Sequence, residues 1–207
     1  MAEQTLKSSV TKWLVALAAF DAVALISLIF GVEFFLIHKI EEVWRAALAA
    51  LLVVPVSLVA DSFSPKFKAQ IVFWRWLSPL PGSRAFSKDE LARAGVDRAK
   101  LVRNVGRLPV SADNQDARWY ELYNMVRDRA NVLEVHGKYL RYRDMAALSL
   151  GLIVVAPMGA ILLGSDRWLT LMVFFGAQYL WSVWLCRLAG QRFSQTVLRI
   201  HAAERIA

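Results

Sequence analysis

Four apolar stretches of at least 18 residues constrain this chain more than any other feature. Each is close to the roughly 20 residues that a helix needs to cross the ~30 Å hydrocarbon core of a bilayer. The composition agrees, because 57% of the 207 residues are hydrophobic and the mean hydropathy is +0.40, which is too apolar for an ordinary soluble domain. We therefore predict an all-α integral membrane protein with four transmembrane helices, at residues 13–30, 43–60, 145–163 and 168–186.

The basic residues predict the orientation. Of the 25 Lys and Arg residues, 22 lie before the first stretch, between the second and third, or after the fourth. Since basic segments stay on the cytoplasmic side of a membrane, we expect both termini to be cytoplasmic, with no cleaved leader. The predicted domains are two transmembrane helices (1–61), a basic cytoplasmic helical domain (62–144), two further transmembrane helices (145–188) and a cytoplasmic C-terminal helix (189–207).

The basic domain carries its own helix signals. Ser87 followed by Glu90 is a capping box, which predicts a short helix that ends at Gly95. A second short helix is expected over about residues 98–105. From about Asn114, apolar residues recur at three- and four-residue steps, and no proline interrupts them before the third span. This pattern predicts one long helix that is continuous with span three and projects well beyond the membrane.

The long helix predicts self-association. Its apolar stripe needs a cover, and the other helices of the basic domain are expected to be short. Copies of the same chain are the simplest cover, and such contacts usually give cyclic homo-oligomers. We therefore expect a cyclic homo-oligomer in a lipid bilayer, with a subunit number that the sequence does not fix.

Asp21 is the most informative single residue, because it lies near the middle of the first span. A carboxylate at that depth is costly unless it is protonated, paired or in contact with water, so it is a candidate for function. We predict that Asp21 and Gln178 of the fourth span form a pore or gate. The alternative is that Asp21 is hydrogen-bonded to Gln178 or to the backbone and simply helps the helices to pack.

A basic set in residues 62–144 is the best candidate for anion binding. Two predicted helix N-termini, near Ser87 and Arg98, would add dipoles that favour phosphate. A nucleotide, an oligonucleotide or lipid headgroups would each satisfy the set, and a basic surface without a specific ligand is the alternative. No Gly-rich phosphate loop is present, so nucleotide hydrolysis is not expected. The predicted ligand-binding residues are Arg84, Arg93, Arg98, Lys100, Arg103 and Arg107.

Arg129 and His136 suggest a second kind of chemistry. Their spacing resembles the R-x(4-6)-H signature of HEPN-type ribonucleases. In an Arg-rich helix such a pair also arises by chance, and a histidine beside Gly137 fits ordinary helix packing. The three histidines are far apart in sequence, so neither a metal site nor a cofactor is predicted.

Three strings resemble a known group of proteins: WLSPLPGSRAF at 76–86, QDARWYELY at 115–123 and HGKYLRYRDM at 136–145. They are similar to segments of HalA-like membrane effector subunits of bacterial anti-phage defence systems. The resemblance implies an oligomeric pore that depolarises the bacterial inner membrane, and a partner enzyme that makes a nucleotide or oligonucleotide signal. It also implies signal binding by Arg84 and coupling by Arg143 and Asp144.

Three hypotheses follow. The first is a homo-oligomeric inner-membrane effector or channel, gated by an anionic signal at its basic domain and not itself an enzyme. The second is a non-conducting membrane scaffold that recruits a soluble partner. The third is a membrane-tethered ribonuclease that uses Arg129 and His136. Ion flux, a stable partner without flux, and RNA cleavage would distinguish the three.

Overall fold

A computed structural model describes residues 2–30 and 62–206, and all the regular structure in these ranges is helical. The described elements are three long α-helices, four shorter α-helices and one 3-10 turn. They are α1 (Ala2–Phe30), α2 (Pro65–Phe73), the 3-10 turn (Pro81–Arg84), α3 (Lys88–Ala94), α4 (Arg98–Val105), α5 (Ala112–Val126), α6 (Ala130–Leu162) and α7 (Trp168–Ala203).

Three described helices are long and apolar enough to cross a membrane. The candidate spans are Ser8–Phe30, Ala130–Leu162 and Trp168–Ala203. They correspond to the predicted first, third and fourth spans, which confirms that the described residues are helical and include three apolar spans. The predicted second span, at 43–60, lies outside the described residues, so the total of four spans stays a prediction.

Helices α6 and α7 are the two longest helices of the described structure. They have 33 and 36 residues, about 50 Å each at 1.5 Å per residue, so each extends about 20 Å beyond a ~30 Å hydrocarbon core. The turn between them contains Gly164 at φ 73, and the amide of Ser165 donates to the carbonyl of Ala160. Both helices cross the predicted domain boundaries without a break.

The membrane half consists of α1 and of residues 145–186. Leu25 and Ile29 of α1 pack against small and branched residues of α6 and against Phe175 of α7. Alanines on the α6 face allow close approach of the helices, as is typical of packing in membranes. Large apolar side chains remain exposed on the outer faces, where lipid would cover them; they include Val15, Phe20, Val23, Val154, Met158, Val173 and Leu180.

The second part, which we call the head, consists of α2 to α5 and the polar ends of α6 and α7. Ser87 and Gly95 delimit α3 as predicted, although the Glu90 carboxylate accepts from Arg93 instead of from the Ser87 amide. The amide of Glu90 donates to Ser87 Oγ at 3.3 Å, and Gly95 ends α3 at φ 63. Helix α4 spans Arg98–Val105, as predicted, and Asp97 caps it by accepting from the amide of Ala99 at 2.8 Å.

The prediction of a single long helix from Asn114 is wrong for the residues before Ala130. Helix α5 ends at Val126, and Arg129 has extended backbone, with φ −71 and ψ 136, before α6 begins at Ala130. Continuity with span three therefore starts at Ala130. No glycine or proline marks the break in the sequence. The break lets α5 fold back along α7 instead of projecting away from the membrane.

This reversal removes the sequence-based reason for self-association. Trp119, Leu122 and Val126, which belong to the predicted stripe, are buried inside one subunit. The Trp119 ring meets Phe193 of α7 edge to face, with ring centroids 5.0 Å apart. The apolar stripe is thus covered by the end of α7, and the homo-oligomer needs another reason.

Candidate functional site

The 3-10 turn positions the first predicted anion-binding residue. The single Ser83 hydroxyl proton lies between two carbonyl oxygens, those of Leu80 (2.7 Å from Oγ) and Ser78 (2.8 Å), and this contact closes the turn locally. Gly82 fits against α5 so closely that an added Cβ would lie 2.5 Å from Asp116 Oδ1 and 2.9 Å from Trp119 Cε3. The turn is therefore fixed on α5, and Arg84 at its end is held at the surface of the head.

Arg84 lines a cavity of about 370 Å³ that we call the arginine cleft. The cleft lies between the end of α2, the 3-10 turn, α3 and α7. Arg75, Arg93 and Arg187 line it as well, together with Asp89 and Glu90. Four guanidinium groups and two carboxylates leave the lining net positive. Such a surface favours phosphate groups, because guanidinium donors match phosphate oxygens in pairs.

Arg187 is the best-anchored arginine of the cleft. Its Nε donates to the carbonyl of Val72 at 2.9 Å, and its guanidinium carbon lies 4.1 Å from the centre of the Trp74 ring. Burial, and then the positive charges of Arg84 and Arg187, lower the pKa of Arg75. The mutual repulsion of these cations is what a bound anion would relieve.

Only two of the six predicted ligand-binding residues lie in the arginine cleft. Arg84 and Arg93 lie in the arginine cleft, whereas Arg98, Lys100, Arg103 and Arg107 are exposed and do not line it. The Asp97 carboxylate already occupies the N-terminus of α4, so that helix end is not open to a phosphate. Sequence reasoning missed Arg75 and Arg187 as part of the site. Their membership depends on the contact between α2 and α7, and no local signal in the sequence indicates it.

The predicted coupling residues lie in a buried ion cluster at the membrane end of the head. Asp144 Oδ1 is 3.0 Å from Lys68 Nζ and 3.1 Å from Arg143 Nη2. The side chains of Lys68, Asp144 and Arg143 are 4%, 11% and 13% exposed. The cluster joins α2 to α6. In the sequence, Lys68 belongs with Lys66 and Arg75 to an aromatic and basic segment that is typical of headgroup contacts, so an ion pair with Asp144 is not expected from it.

Asp21 and Gln178, the predicted pore or gate residues, are in contact with each other. Gln178 Nε2 donates to both carboxylate oxygens of Asp21, at 3.0 and 3.3 Å. Asp21 is fully buried inside the protein. The bond joins α1 to α7, which is the arrangement of the packing alternative. A pore role for the pair stays a prediction.

Arg129 and His136 each have a structural explanation. Arg129 forms two hydrogen bonds with the carboxylate of Glu204, at 2.7 and 3.2 Å. His136 Nδ1 lies 3.1 Å from the Tyr123 hydroxyl, and its ring stacks on Phe193 with centroids 4.6 Å apart. These contacts account for both side chains without RNA chemistry.

Comparisons with known proteins give no match: no protein-family model, curated protein or solved structure is similar to this chain. Within residues 2–30 and 62–206, no group of His, Cys, Asp and Glu side chains has the geometry to hold a metal ion. The arrangement of the arginine cleft, the ion cluster and the Asp21–Gln178 bond must therefore carry the functional argument.

Proposed function

We propose that the chain is a subunit of an oligomeric effector or channel of the bacterial inner membrane, and that a nucleotide or oligonucleotide signal gates it. The main support for this proposal is the arginine cleft, because its lining includes both exposed arginines of the head and Arg187 of a membrane helix. Arg84 and Arg93 would meet the phosphates of the signal, while Arg187 on α7 would sense their arrival. The resemblance to defence effectors supplies the class of signal and a partner enzyme that makes it.

Helix α7 provides a direct route from the cleft to the membrane half. It is one continuous helix from Trp168 to Ala203, so Arg187 and Gln178 lie on the same rigid element. Nine residues separate them, which corresponds to about 13.5 Å along the axis. A ligand that moves α7 at Arg187 would therefore disturb the bond between Gln178 and Asp21. Rigid-body motion of a helix is a common switching route.

The ion cluster provides a second route. Asp144 holds Lys68 of α2 beside Arg143 of α6, so α2 and span three move together. Because the end of α2 also forms one wall of the cleft, closure of the cleft on a ligand would be transmitted to α6. The Asp21–Gln178 bond would have to open for Asp21 to meet permeating ions.

Binding is tested first. Purified protein is titrated with ATP and with a short oligonucleotide at low salt, and affinities are measured for Arg84→Ala and Arg93→Ala. Arg98→Ala and Arg103→Ala are matched controls, since both arginines are exposed outside the cleft. We expect the cleft variants to bind about tenfold more weakly, with steep salt dependence, and the controls to bind nearly as the parent does. Binding to anionic liposomes alone would make the basic set a lipid contact.

Ion flux is tested next. The protein is reconstituted in liposomes that contain a fluorescent ion reporter. Ion flux is followed before and after ligand addition. The proposal expects flux to change with ligand in the parent and not in Arg84→Ala. A nucleotide that binds without any change in flux would contradict the channel.

The proposal also requires that the head faces the cytoplasm, where an intracellular signal would reach it. With both termini and the head in the cytoplasm, a reporter fused after Ala207 should be active there. Periplasmic activity of that reporter would place the arginine cleft on the wrong side for an intracellular signal.

A non-conducting scaffold is the second candidate. The closed Asp21–Gln178 bond favours it, since the carboxylate already has a partner within the subunit. A scaffold would copurify with a soluble partner, and Arg84→Ala would release that partner without any effect on flux.

A further inference from the structure

Helix α2 lies at the level of a membrane surface. Lys68 of α2 pairs with Asp144, the residue just before the predicted third span, with Lys68 Nζ 3.0 Å from Asp144 Oδ1. Near the other end of α2, the Val72 carbonyl accepts at 2.9 Å from Nε of Arg187, the first residue after the predicted fourth span. Because both contacts are with residues at span ends, α2 crosses from α6 to α7 near the boundary between hydrocarbon and headgroups.

A short loop, residues 74–77, follows α2; we call it the anchor loop. Trp76 and Leu77 in this loop are 76% and 88% exposed, and Trp74 is 59% exposed. The described part of the subunit therefore leaves three large apolar side chains largely uncovered, immediately after a helix that lies at the membrane boundary.

Contacts with α7 place the anchor loop beside the last turns of the predicted fourth span. Trp74 Nε1 donates to the Tyr179 hydroxyl at 3.1 Å, and that hydroxyl donates to the carbonyl of Ile71 at 2.6 Å. The Trp74 ring also lies against the Arg187 guanidinium. Tyr179 and Arg187 are eight residues apart in the sequence, about 12 Å along α7. Trp74 thus lies between a residue inside the span and one just beyond it.

The anchor loop is held in one position. Gln70 Nε2 donates to the carbonyl of Trp76 at 3.0 Å, which ties the loop to α2. Just after the loop, Ser78 Oγ donates to Asp113 Oδ1 of α5 at 2.7 Å. Trp74 and Ser78 have left-handed backbone, with φ 53 and φ 45, a conformation that non-glycine residues rarely adopt. The fold therefore keeps Trp76 facing outward, where it does not collapse onto the head.

The neighbouring surface indicates that lipid is the cover. Trp181 and Trp184 lie on α7 between Tyr179 and Arg187; both are more than half exposed, and their ring centroids are 5.0 Å apart. Tryptophan is enriched at the membrane–water boundary, since its ring is apolar and its N–H needs a polar partner. Lys66, at the start of α2, is exposed as well, and its charge suits anionic headgroups.

We propose that the anchor loop inserts into the interfacial layer of the lipid bilayer, with Trp76 and Leu77 at the level of the upper acyl chains. The bilayer then covers the loop as it covers the outer face of α7, and the lipid-facing surface continues from the span onto the head. Because Arg75 of the same loop lines the arginine cleft, insertion holds one wall of the cleft at the membrane surface. The proposal does not depend on what the cleft binds.

The test measures the depth of one labelled residue in the full chain. Cys186, the only cysteine, is replaced by alanine, and Leu77→Cys is labelled with a small fluorophore. Leu77→Cys should fold, because the side chain that it replaces is almost fully exposed. The protein is reconstituted in liposomes of phosphatidylethanolamine and phosphatidylglycerol. One quencher is a lipid with a nitroxide near the top of its acyl chain, and the other is iodide in the water on both sides.

Met125→Cys, labelled in the same way, is the matched control. Met125 is 51% exposed near the end of α5. The Leu122 carbonyl of the same helix lies 2.9 Å from His201 Nε2. His201 is 14 residues beyond Arg187, which corresponds to about 21 Å along α7, so the control label lies well outside the bilayer.

We expect the nitroxide lipid to quench the label at Leu77 and iodide to leave it nearly unchanged, with the reverse at Met125. Adding Trp76→Asp should abolish the lipid quenching, because a carboxylate is costly to place at acyl-chain level. Quenching of the Leu77 label by iodide, to the extent seen at Met125, would overturn the proposal. Protection of that label from both quenchers would also overturn it, since protein, such as a second copy of the chain, would then cover the loop.

Discussion

The head and the membrane half share α6 and α7 but are held together differently. In the head, α5 covers the long helices, and Trp119, Leu122 and Val126 are buried among other side chains. In the membrane half, α1 covers one side, and apolar residues such as Val173 remain exposed to the surroundings. The apolar surface of α6 and α7 is therefore covered by other helices in the head, whereas in the membrane half part of it is left for lipid to cover. Helix-to-helix contacts should be more sensitive to substitution in the head.

Asp144→Ala should have the largest effect, because it acts where the two regions meet. It removes the carboxylate that Lys68 and Arg143 both contact. Breaking a buried ion pair from one side costs about 3–5 kcal/mol, so we expect the free energy of unfolding to fall by that order. Denaturant unfolding in detergent measures it.

Asp128→Ala is the control for that prediction, since Asp128 is exposed and 3.9 Å from Arg127. Its effect should be within about 0.5 kcal/mol. Equal stability of Asp144→Ala and the control would mean that the ion cluster does not hold α2 against α6.

A pair of glycine variants compares the two regions directly. Gly82→Ala places a Cβ 2.5 Å from Asp116 Oδ1 in the head, and overpacking of this kind costs about 1–3 kcal/mol. Gly176→Ala in the membrane half of α7 meets nothing within 4 Å, so we expect no loss of stability. Thermal unfolding of both variants in one detergent measures the contrast. Equal destabilisation by the two variants would contradict the difference in packing.

Asp21 tests the polar contact inside the membrane half. Asp21→Asn keeps an oxygen that can accept from Gln178 Nε2, so stability and oligomer size should change little. Asp21→Ala removes the bond and should cost about 1 kcal/mol, the usual value for such contacts between membrane helices. Gel filtration, thermal unfolding and flux are measured on both. Altered flux in Asp21→Asn at unchanged stability would favour the pore role over the packing role.

The exposed pair Arg129–Glu204 should have the smallest effect. Its hydrogen bond and charge lower the pKa of Glu204 below its ordinary value of 4.5. The contribution of the pair is therefore present above pH 4.5 and is lost as the pH falls through the lowered pKa. We expect the melting temperature of Glu204→Gln to lie slightly below that of the parent at neutral pH and low salt. The two should converge in acid or at high salt; a constant difference would contradict an electrostatic origin.

The sequence alone determined the apolar helices and the local elements of the head. The spans in α1, α6 and α7, the capping box at Ser87 and the helix Arg98–Val105 follow from hydropathy, side-chain caps and glycine stops. Caps and glycine stops act within a few residues, and span hydropathy acts along one continuous stretch, so no tertiary contact is needed to interpret these signals.

Only the tertiary structure decided the break after Val126 and the membership of the arginine cleft. No glycine or proline marks the break; it is stabilised by the burial of Trp119 and Leu122 against α7, a contact between distant parts of the chain. Arg75 and Arg187 become neighbours for the same reason, since α2 docks on α7. Local sequence fixes where helices begin and end when a cap or a breaker is present. Elsewhere, the burial of apolar surface between distant segments determines where a helix ends. A periodic pattern shows that a helix has an apolar face, but it does not specify which segment will cover that face.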